Sequence, residues 1–104
     1  MKKKNNEVWF SILICCYNSE QYILETLLSV INQTYTKYEI ILINDGSIDK
    51  TDEIIKSFIF NNPKIRIKYF KIKNAGLPNA RNEGLLKSSY KWIALLDHDD
   101  IWEN

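Results

Sequence analysis

Two periodicities alternate along the chain, and together they predict strands separated by helices. Short apolar runs, which predict strands, occupy residues 8–14, 39–43, 65–69 and 91–96. Three of these runs are almost continuously apolar, as is typical of parallel strands that are covered on both faces. The third run instead alternates apolar residues with Lys and Arg, a pattern that favours an edge strand.

The first two segments between the strands carry apolar residues three and four positions apart, which predicts a helix in each. A third helix is predicted after the turn at residues 74–76. Asn18 is placed to cap the first helix, and Gln21 completes the spacing of a capping box. The predicted buried stripe of this helix comprises Ile23, Leu24, Leu27, Leu28 and Ile31.

The second and third helices carry their own start signals. Asp49 or Thr51 can cap the second helix, and Pro78 suits the first position of the third. Within the third helix, Ala80 and Gly84 are small and four residues apart. We therefore expect that helix to lie close on the sheet.

The repeated strand–helix–strand order predicts an α/β fold with a parallel sheet and right-handed crossovers. With the third strand at an edge, the predicted strand order is 3-2-1-4. The carboxyl ends of parallel strands meet at one edge, so residues 15–18, 44–46 and 97–99 are expected to be neighbours. Ligands of such sheets bind where the winding reverses, which here lies between the first and fourth strands.

Length, charge and cysteine spacing narrow the class of protein. The 104 residues suit one domain, with residues 1–7 as a basic tail and residues 8–104 as the folded unit. The net charge of +1 gives no global field toward nucleic acid, so no nucleic-acid partner is expected. Cys15 and Cys16 are adjacent and fit neither a disulfide framework nor zinc-ligand spacing. They predict free thiols in a reducing cytoplasm.

An acidic cluster directly follows the fourth predicted strand. Asp97, Asp99 and Asp100 surround the single histidine of the chain, His98. Paired carboxylates suit Mg²⁺ or Mn²⁺, which prefer oxygen ligands. The alternatives are that Asp99 or Asp100 caps a following helix, or that the cluster is a solvated loop. His98 is interpreted as a loop residue.

Three other residues near this edge suit a nucleotide, although each has an ordinary structural alternative. Asp45 can accept hydrogen bonds from a base or ribose, or simply begin a turn. Tyr17 can stack on a nucleobase or pack conventionally. Arg81 can contact a phosphate or base, or pair with Glu53 or Glu83.

A family resemblance is carried by four segments in order, SILICCYNSEQYILETLLSVINQTY, YEIILINDGSIDKTDEII, NAGLPNARNEGL and WIALLDHDDIW. The chain resembles the amino-terminal half of a family 2 glycosyltransferase with the GT-A fold, from about residue 8 to residue 102. The resemblance implies a three-layer α/β/α, Rossmann-like half of that fold. Residues 8–104 would form the nucleotide-diphospho-sugar-binding half, without the acceptor half.

The resemblance also implies roles for individual residues. Those implied at the nucleotide are Cys15, Tyr17, Asp45, Arg81 and Asp97. Asp99 is implied as the direct ligand of Mn²⁺ or Mg²⁺, with Asp97 facing the ribose or supporting the metal shell. The cation would bridge the diphosphate and stabilise charge on the departing nucleotide. Family members commonly have Pro and Thr where this chain has Cys15 and Cys16, so backbone contacts survive there and a hydroxyl contact does not.

These roles imply an inverting, metal-dependent sugar transfer from a nucleotide diphosphate sugar, expected to be a UDP-sugar, to an unknown glycan or lipid-linked acceptor. No catalytic residue is assigned, because the general base is expected beyond residue 104. One alternative is a catalytically incomplete nucleotide-sugar-binding or regulatory module. Another is a nucleotidyltransferase, which the absence of glycine from residues 15–18 disfavours.

Two further expectations concern association and location. The outer edge of the fourth strand is apolar, so we expect self-association as a homodimer through that edge. The sequence has no cleavage site typical of a secretion signal, and its first apolar stretch is too short to span a bilayer. The expected location is the cytoplasm, including the inner face of the membrane.

Overall fold

Strands and helices alternate along the part of the chain that the structure describes. The computed structural model describes residues 8–97, with Asp97 described by its backbone alone. The elements are β1 (Phe10–Cys16), α1 (Ile23–Ile31), β2 (Tyr38–Asp45), α2 (Thr51–Asn61), β3 (Ile67–Ile72), α3 (Leu77–Lys87) and β4 (Trp92–Asp97). The predicted order of four strands and three helices is confirmed.

The four strands form one parallel sheet in the order β3-β2-β1-β4. This confirms both the α/β class and the predicted strand order. The register pairs Cys15 of β1 with Ile43 of β2 on one side and with Asp97 of β4 on the other. The change of winding direction therefore lies between β1 and β4, as predicted.

Helices cover both faces of the sheet, which gives three layers. One core joins the sheet to α1 and α2, and its buried residues include Ile12, Ile14, Ile40, Leu42, Ile23, Leu27, Ile55 and Phe58. The other core lies between the sheet and α3, and comprises Leu13, Cys15, Ile41, Ile43 and Ala80. Because successive strand residues point to opposite faces, β1 and β2 contribute alternate side chains to each core.

The two cysteines are separated by the sheet. Cys15 belongs to the core under α3 and Cys16 to the core under α1 and α2, and both are buried thiols that form no disulfide. Burial, reinforced by the neighbouring Cys15, raises the pKa of Cys16 to about 12. Cys16 is consequently a protonated, structural thiol at neutral pH.

Helix α3 lies against the sheet because small residues face it, as the sequence predicted. Ala80 and Gly84 are both buried. A Cβ atom at Gly84 would overlap the side chain of Leu13 on β1, so Leu13 occupies the space that a side chain at residue 84 would need. Helix α3 begins at Leu77, one residue before its expected start at Pro78.

The predicted start of the first helix is wrong. Helix α1 begins at Ile23 rather than directly after Asn18, and Gln21 lies in the turn before it. Asn18 instead directs its side-chain oxygen to another loop, where it accepts a 2.9 Å hydrogen bond from the backbone N–H of Ile48. A contact between distant loops therefore replaces the local capping box.

One predicted boundary and one predicted buried stripe also need correction. Strand β3 spans Ile67–Ile72 rather than residues 65–69, because its pairing with β2 begins opposite Ile40. The buried residues of α1 are Ile23, Thr26, Leu27 and Val30. Leu24 and Leu28, which were expected in that stripe, are exposed beside α2.

Candidate nucleotide site

The carboxyl ends of three strands meet at one edge of the sheet, as expected. Strand β1 ends at Cys16, β2 at Asp45 and β4 at Asp97. The register aligns Cys15 of β1 directly with Asp97 of β4. On the other side, Cys15 is aligned with Ile43 of β2, and Asp45 lies two residues further along that strand. Residues more than 25 positions apart in the sequence are thereby collected at one edge.

Tyr17 projects from this edge between two buried residues. Its exposed fraction is 46%, whereas Cys16 before it and Ser19 after it are buried. The Ser19 hydroxyl accepts a 3.2 Å hydrogen bond from the N–H of Tyr17 and donates a 3.2 Å hydrogen bond to its carbonyl. The backbone of Tyr17 is thus held at both polar groups while its ring faces outward.

Asp45 binds the loop that leads into α3. Its carboxylate accepts hydrogen bonds from the backbone N–H of Ala75 at 2.9 Å and of Gly76 at 3.0 Å, and from Asn74 Nδ2 at 3.3 Å. The residue is only 4% exposed. Asp45 therefore lies where the sequence predicted, and it also has a structural role that no local sequence signal indicated.

Gly46 allows this loop to approach closely. Its φ of +71° lies in the left-handed region, and a Cβ atom there would lie 2.6 Å from the backbone nitrogen of Asn74. Only glycine accommodates both the conformation and the contact without strain. The turn after β2 and the loop before α3 are consequently packed backbone to backbone.

Arg81 is brought to the same edge by α3. It lines a small cavity together with Cys15 and Leu95, between the helix and the sheet. Arg81 is half-buried there. The structure thus brings together Cys15 and Arg81, two of the residues predicted at the nucleotide.

The loop after β1 is bound to the loop after β2 by hydrogen bonds that the sequence analysis missed. The backbone N–H of Asn18 donates to the Ser47 hydroxyl at 2.9 Å, and that of Ser19 donates to Thr51 Oγ1 at 2.7 Å. The backbone N–H of Glu20 donates to the carboxylate of Asp49 at 3.2 Å. These contacts join loops about 30 residues apart, so no short motif could have revealed them.

A partly buried set of hydrogen bonds supports the turn after β2. Asn44 Nδ2 donates to the Tyr69 hydroxyl at 2.9 Å, and that hydroxyl donates to the Asp52 carboxylate at 2.6 Å. The bond from Tyr69 lowers the pKa of Asp52, while burial raises the pKa of Tyr69. Asn44 Oδ1 also accepts a 3.1 Å hydrogen bond from the N–H of Ser47, which fixes the start of the turn.

Of the two predicted metal ligands, Asp99 lies beyond the described part of the chain and Asp97 is the last residue within it. Asp99, His98 and Asp100 are outside residues 8–97, and Asp97 is described only as the last residue of β4. Within residues 8–97, no group of three His, Cys, Asp or Glu side chains could hold a metal ion. Carboxylates at the end of β4 are nevertheless the donor type that suits Mg²⁺ or Mn²⁺.

None of the helices in the described region is long and apolar enough to cross a membrane.

Comparisons with known proteins agree with this architecture. Residues 11–104 match the family model described as glycosyl transferase family 2. An uncharacterized glycosyltransferase of Rickettsia bellii is 45% identical over 92 residues, which are 88% of this chain and 13% of that protein. This chain therefore spans a small part of the length of the curated relatives that it matches.

Two solved structures are similar to this chain in both fold and sequence. S. aureus TarS 1-349, in complex with UDP-GlcNAc, has a TM-score of 0.81 and 31% identity, covering 90% of this chain and 27% of that one. GalNAc-T7, with UDP, GalNAc and Mn²⁺, has a TM-score of 0.76 and 27% identity, covering 94% of this chain and 19% of that one. Together with the match of the family model over nearly the whole chain, these likenesses show that the chain belongs to glycosyl transferase family 2.

Proposed function

We propose that this chain is the donor-binding portion of an inverting, metal-dependent glycosyltransferase that uses a UDP-sugar. The observation that carries the proposal is the meeting of Tyr17, Asp45 and Arg81 with the end of β4 at one edge of the sheet. This edge lies at the reversal of winding, where open α/β sheets bind ligands. The UDP-GlcNAc present in the related TarS structure supports a uridine nucleotide.

The uridine is proposed to lie over the ends of β1 and β2. The exposed ring of Tyr17 offers a face for the base, and Cys15, near the end of β1, is proposed to contact the nucleotide through its backbone. Asp45 and Arg81 are proposed to lie beside the base at the same edge, and Asp97 beside the ribose. An aromatic face together with fixed polar groups is a common way to bind a nucleobase.

The diphosphate is proposed to bind through Mn²⁺ or Mg²⁺ held by Asp99, with Asp97 as a second ligand or as a support of the metal shell. Such a cation neutralises charge on the departing nucleotide. The Mn²⁺ present with UDP in the related GalNAc-T7 structure supports this assignment. The acceptor is proposed to be a glycan or a lipid-linked molecule.

Thermal unfolding of the 104-residue chain tests the proposal. UDP should raise the melting temperature when Mn²⁺ or Mg²⁺ is present, and should have no effect when a chelator removes the metal, because ligand binding stabilises the folded state. Asp99→Ala should abolish the shift. A shift that needs no metal and survives Asp99→Ala would overturn the assignment.

A further inference from the structure

We infer that Asn18 is a positioning residue that holds the ring of Tyr17 in place at the nucleotide site. It does so by fastening the loop after β1 to the loop after β2. The importance of this for nucleotide binding rests on the proposed function, because Tyr17 is assigned there to the base. The holding of the backbone that carries the ring follows from contacts within the chain.

Asn18 has a backbone conformation that makes the chain turn immediately after Tyr17. Its φ of 48° is the only positive value among non-glycine residues in the described region. Most side chains disfavour this left-handed conformation, while Asn and Gly accept it more readily. The turn ends β1 and lets Tyr17 project outward while Ser19 returns to the interior.

Two hydrogen bonds fix Asn18 in that conformation. Its side-chain oxygen accepts from the backbone N–H of Ile48 at 2.9 Å, and its own N–H donates to the Ser47 hydroxyl at 2.9 Å. Ser47 is in turn bound to the buried Asn44 at the end of β2 through a 3.1 Å hydrogen bond. Asn18 is thus connected to the rigid sheet by a short path.

Tyr17 is therefore held on both sides in sequence. Cys16 before it is part of β1, and Asn18 after it is fastened to residues 47–48. A ring whose backbone is already fixed loses less conformational freedom when a base stacks on it, so less of the binding free energy is spent on ordering. Releasing Asn18 should weaken binding of the base without removing any atom that contacts it.

Three variants test this role of Asn18. Asn18→Gly keeps access to the left-handed conformation but loses the bond to Ile48, whereas Asn18→Asp keeps both a tolerant backbone and an acceptor oxygen. Glu20→Ala is the matched control, because it removes a 3.0 Å bond from the Lys50 N–H between the same two loops, away from Tyr17. Urea unfolding should first establish that all three variants fold.

The binding measurement compares UDP with inorganic diphosphate, each in the presence of Mg²⁺. Tyr17→Ala should weaken UDP binding about tenfold, within the range for loss of base stacking. Asn18→Gly should weaken it about threefold to tenfold, in keeping with loss of one hydrogen bond. Binding of inorganic diphosphate should be unchanged in both, and Asn18→Asp and Glu20→Ala should keep the wild-type ratio of the two affinities.

A second measurement needs no nucleotide. In the ligand-free chain, ¹³C relaxation of the Tyr17 ring should report greater motion in Asn18→Gly than in wild type, and restored order in Asn18→Asp. Equal ring order in all variants would overturn the positioning role, whatever the nucleotide result. Absence of UDP binding to the wild-type chain would instead overturn the proposed function, and the ring measurement would still decide the role of Asn18.

Discussion

The carboxylate of Asp45 accepts a 3.0 Å hydrogen bond from the backbone N–H of Gly76, the residue directly before α3. Strand β2 is thereby joined to the start of the helix that carries Arg81. The same carboxylate also accepts from the N–H of Ala75. One buried side chain therefore determines how the loop before α3 lies against the nucleotide edge.

Asp45→Asn should destabilise the chain and loosen this loop. Asn has one side-chain oxygen where Asp has two. In the variant, the amide nitrogen would therefore face a backbone N–H that accepts no hydrogen bond, and that N–H would lose the acceptor that it has in the wild type. Since hydrogen bonds to charged groups contribute about 1.5–3 kcal/mol, we expect a loss of that size in the free energy of unfolding, measured with urea. The control Asn74→Ala removes only the side-chain bonds of the loop and should cost less. Equal unfolding curves for Asp45→Asn and wild type would contradict this account.

Glu39 should make the stability of the fold dependent on pH. Its buried carboxylate accepts from the Ser11 hydroxyl at 2.6 Å and from the Ser89 N–H at 2.7 Å, and pairs with Lys68 at 3.2 Å. Burial alone would raise the pKa of Glu39, but these partners together outweigh burial and lower it.

The direction of the effect follows from that lowered pKa. The unfolded chain, with a Glu pKa of about 4.3, takes up a proton more readily than the folded chain. The contribution of Glu39 is therefore complete above that value and is lost as the pH falls through the lower pKa of the folded state. Urea unfolding between pH 7 and pH 2 should show this loss, and Glu39→Gln should reduce it. Glu25→Gln, at an exposed position, serves as the matched control for removing one carboxylate.

The sequence predicted the sheet well because buried parallel strands carry an intrinsic signal. The apolar runs in β1 and β2 have to be covered on both faces, and the charges on β3 indicate an edge. The start of α1 was mispredicted because the Asn18 side chain is engaged by the N–H of Ile48, a contact that exists only in the folded molecule.

At the site, too, the sequence predicted the position of Asp45 but not its hydrogen-bond partners. Position at the end of an apolar strand predicted a carboxylate at the ligand edge, and the strand order brought it beside β1. Its bonds to Ala75 and Gly76 depend on where the loop before α3 returns to the sheet. A local pattern specifies that a residue lies at the edge, whereas its partners are determined by the packing of distant segments.

Gly84→Ala should destabilise the fold through a steric clash. The added methyl group would overlap Leu13, and both residues lie in the layer between α3 and the sheet. Overpacking of this kind costs about 1–3 kcal/mol, which exceeds the gain in helix propensity from replacing Gly with Ala. Urea unfolding should show the loss, and the same change in a Leu13→Ala background should cost less. Asn82→Ala, on the exposed side of α3, should stay within about 0.5 kcal/mol of wild type.

We expect the outer edge of β4 to mediate self-association of the 104-residue chain. In the described region β4 pairs with β1 alone, and Leu95 on it is 58% exposed. An unpaired apolar strand edge offers backbone hydrogen bonds and apolar surface to the same edge of another copy. Sedimentation velocity over a range of concentrations should therefore reveal a dimer.

Leu95→Lys should shift this equilibrium toward the monomer, because a charged side chain on an edge strand disfavours pairing. Leu86→Lys makes the same chemical change at a residue of α3 that is 78% exposed, so it controls for the added charge. We expect Leu86→Lys to associate like wild type. A wild-type chain that sediments as a monomer at high concentration, or a dimer that both variants weaken equally, would exclude the β4 edge as the contact, since only a contact at that edge distinguishes the two lysines.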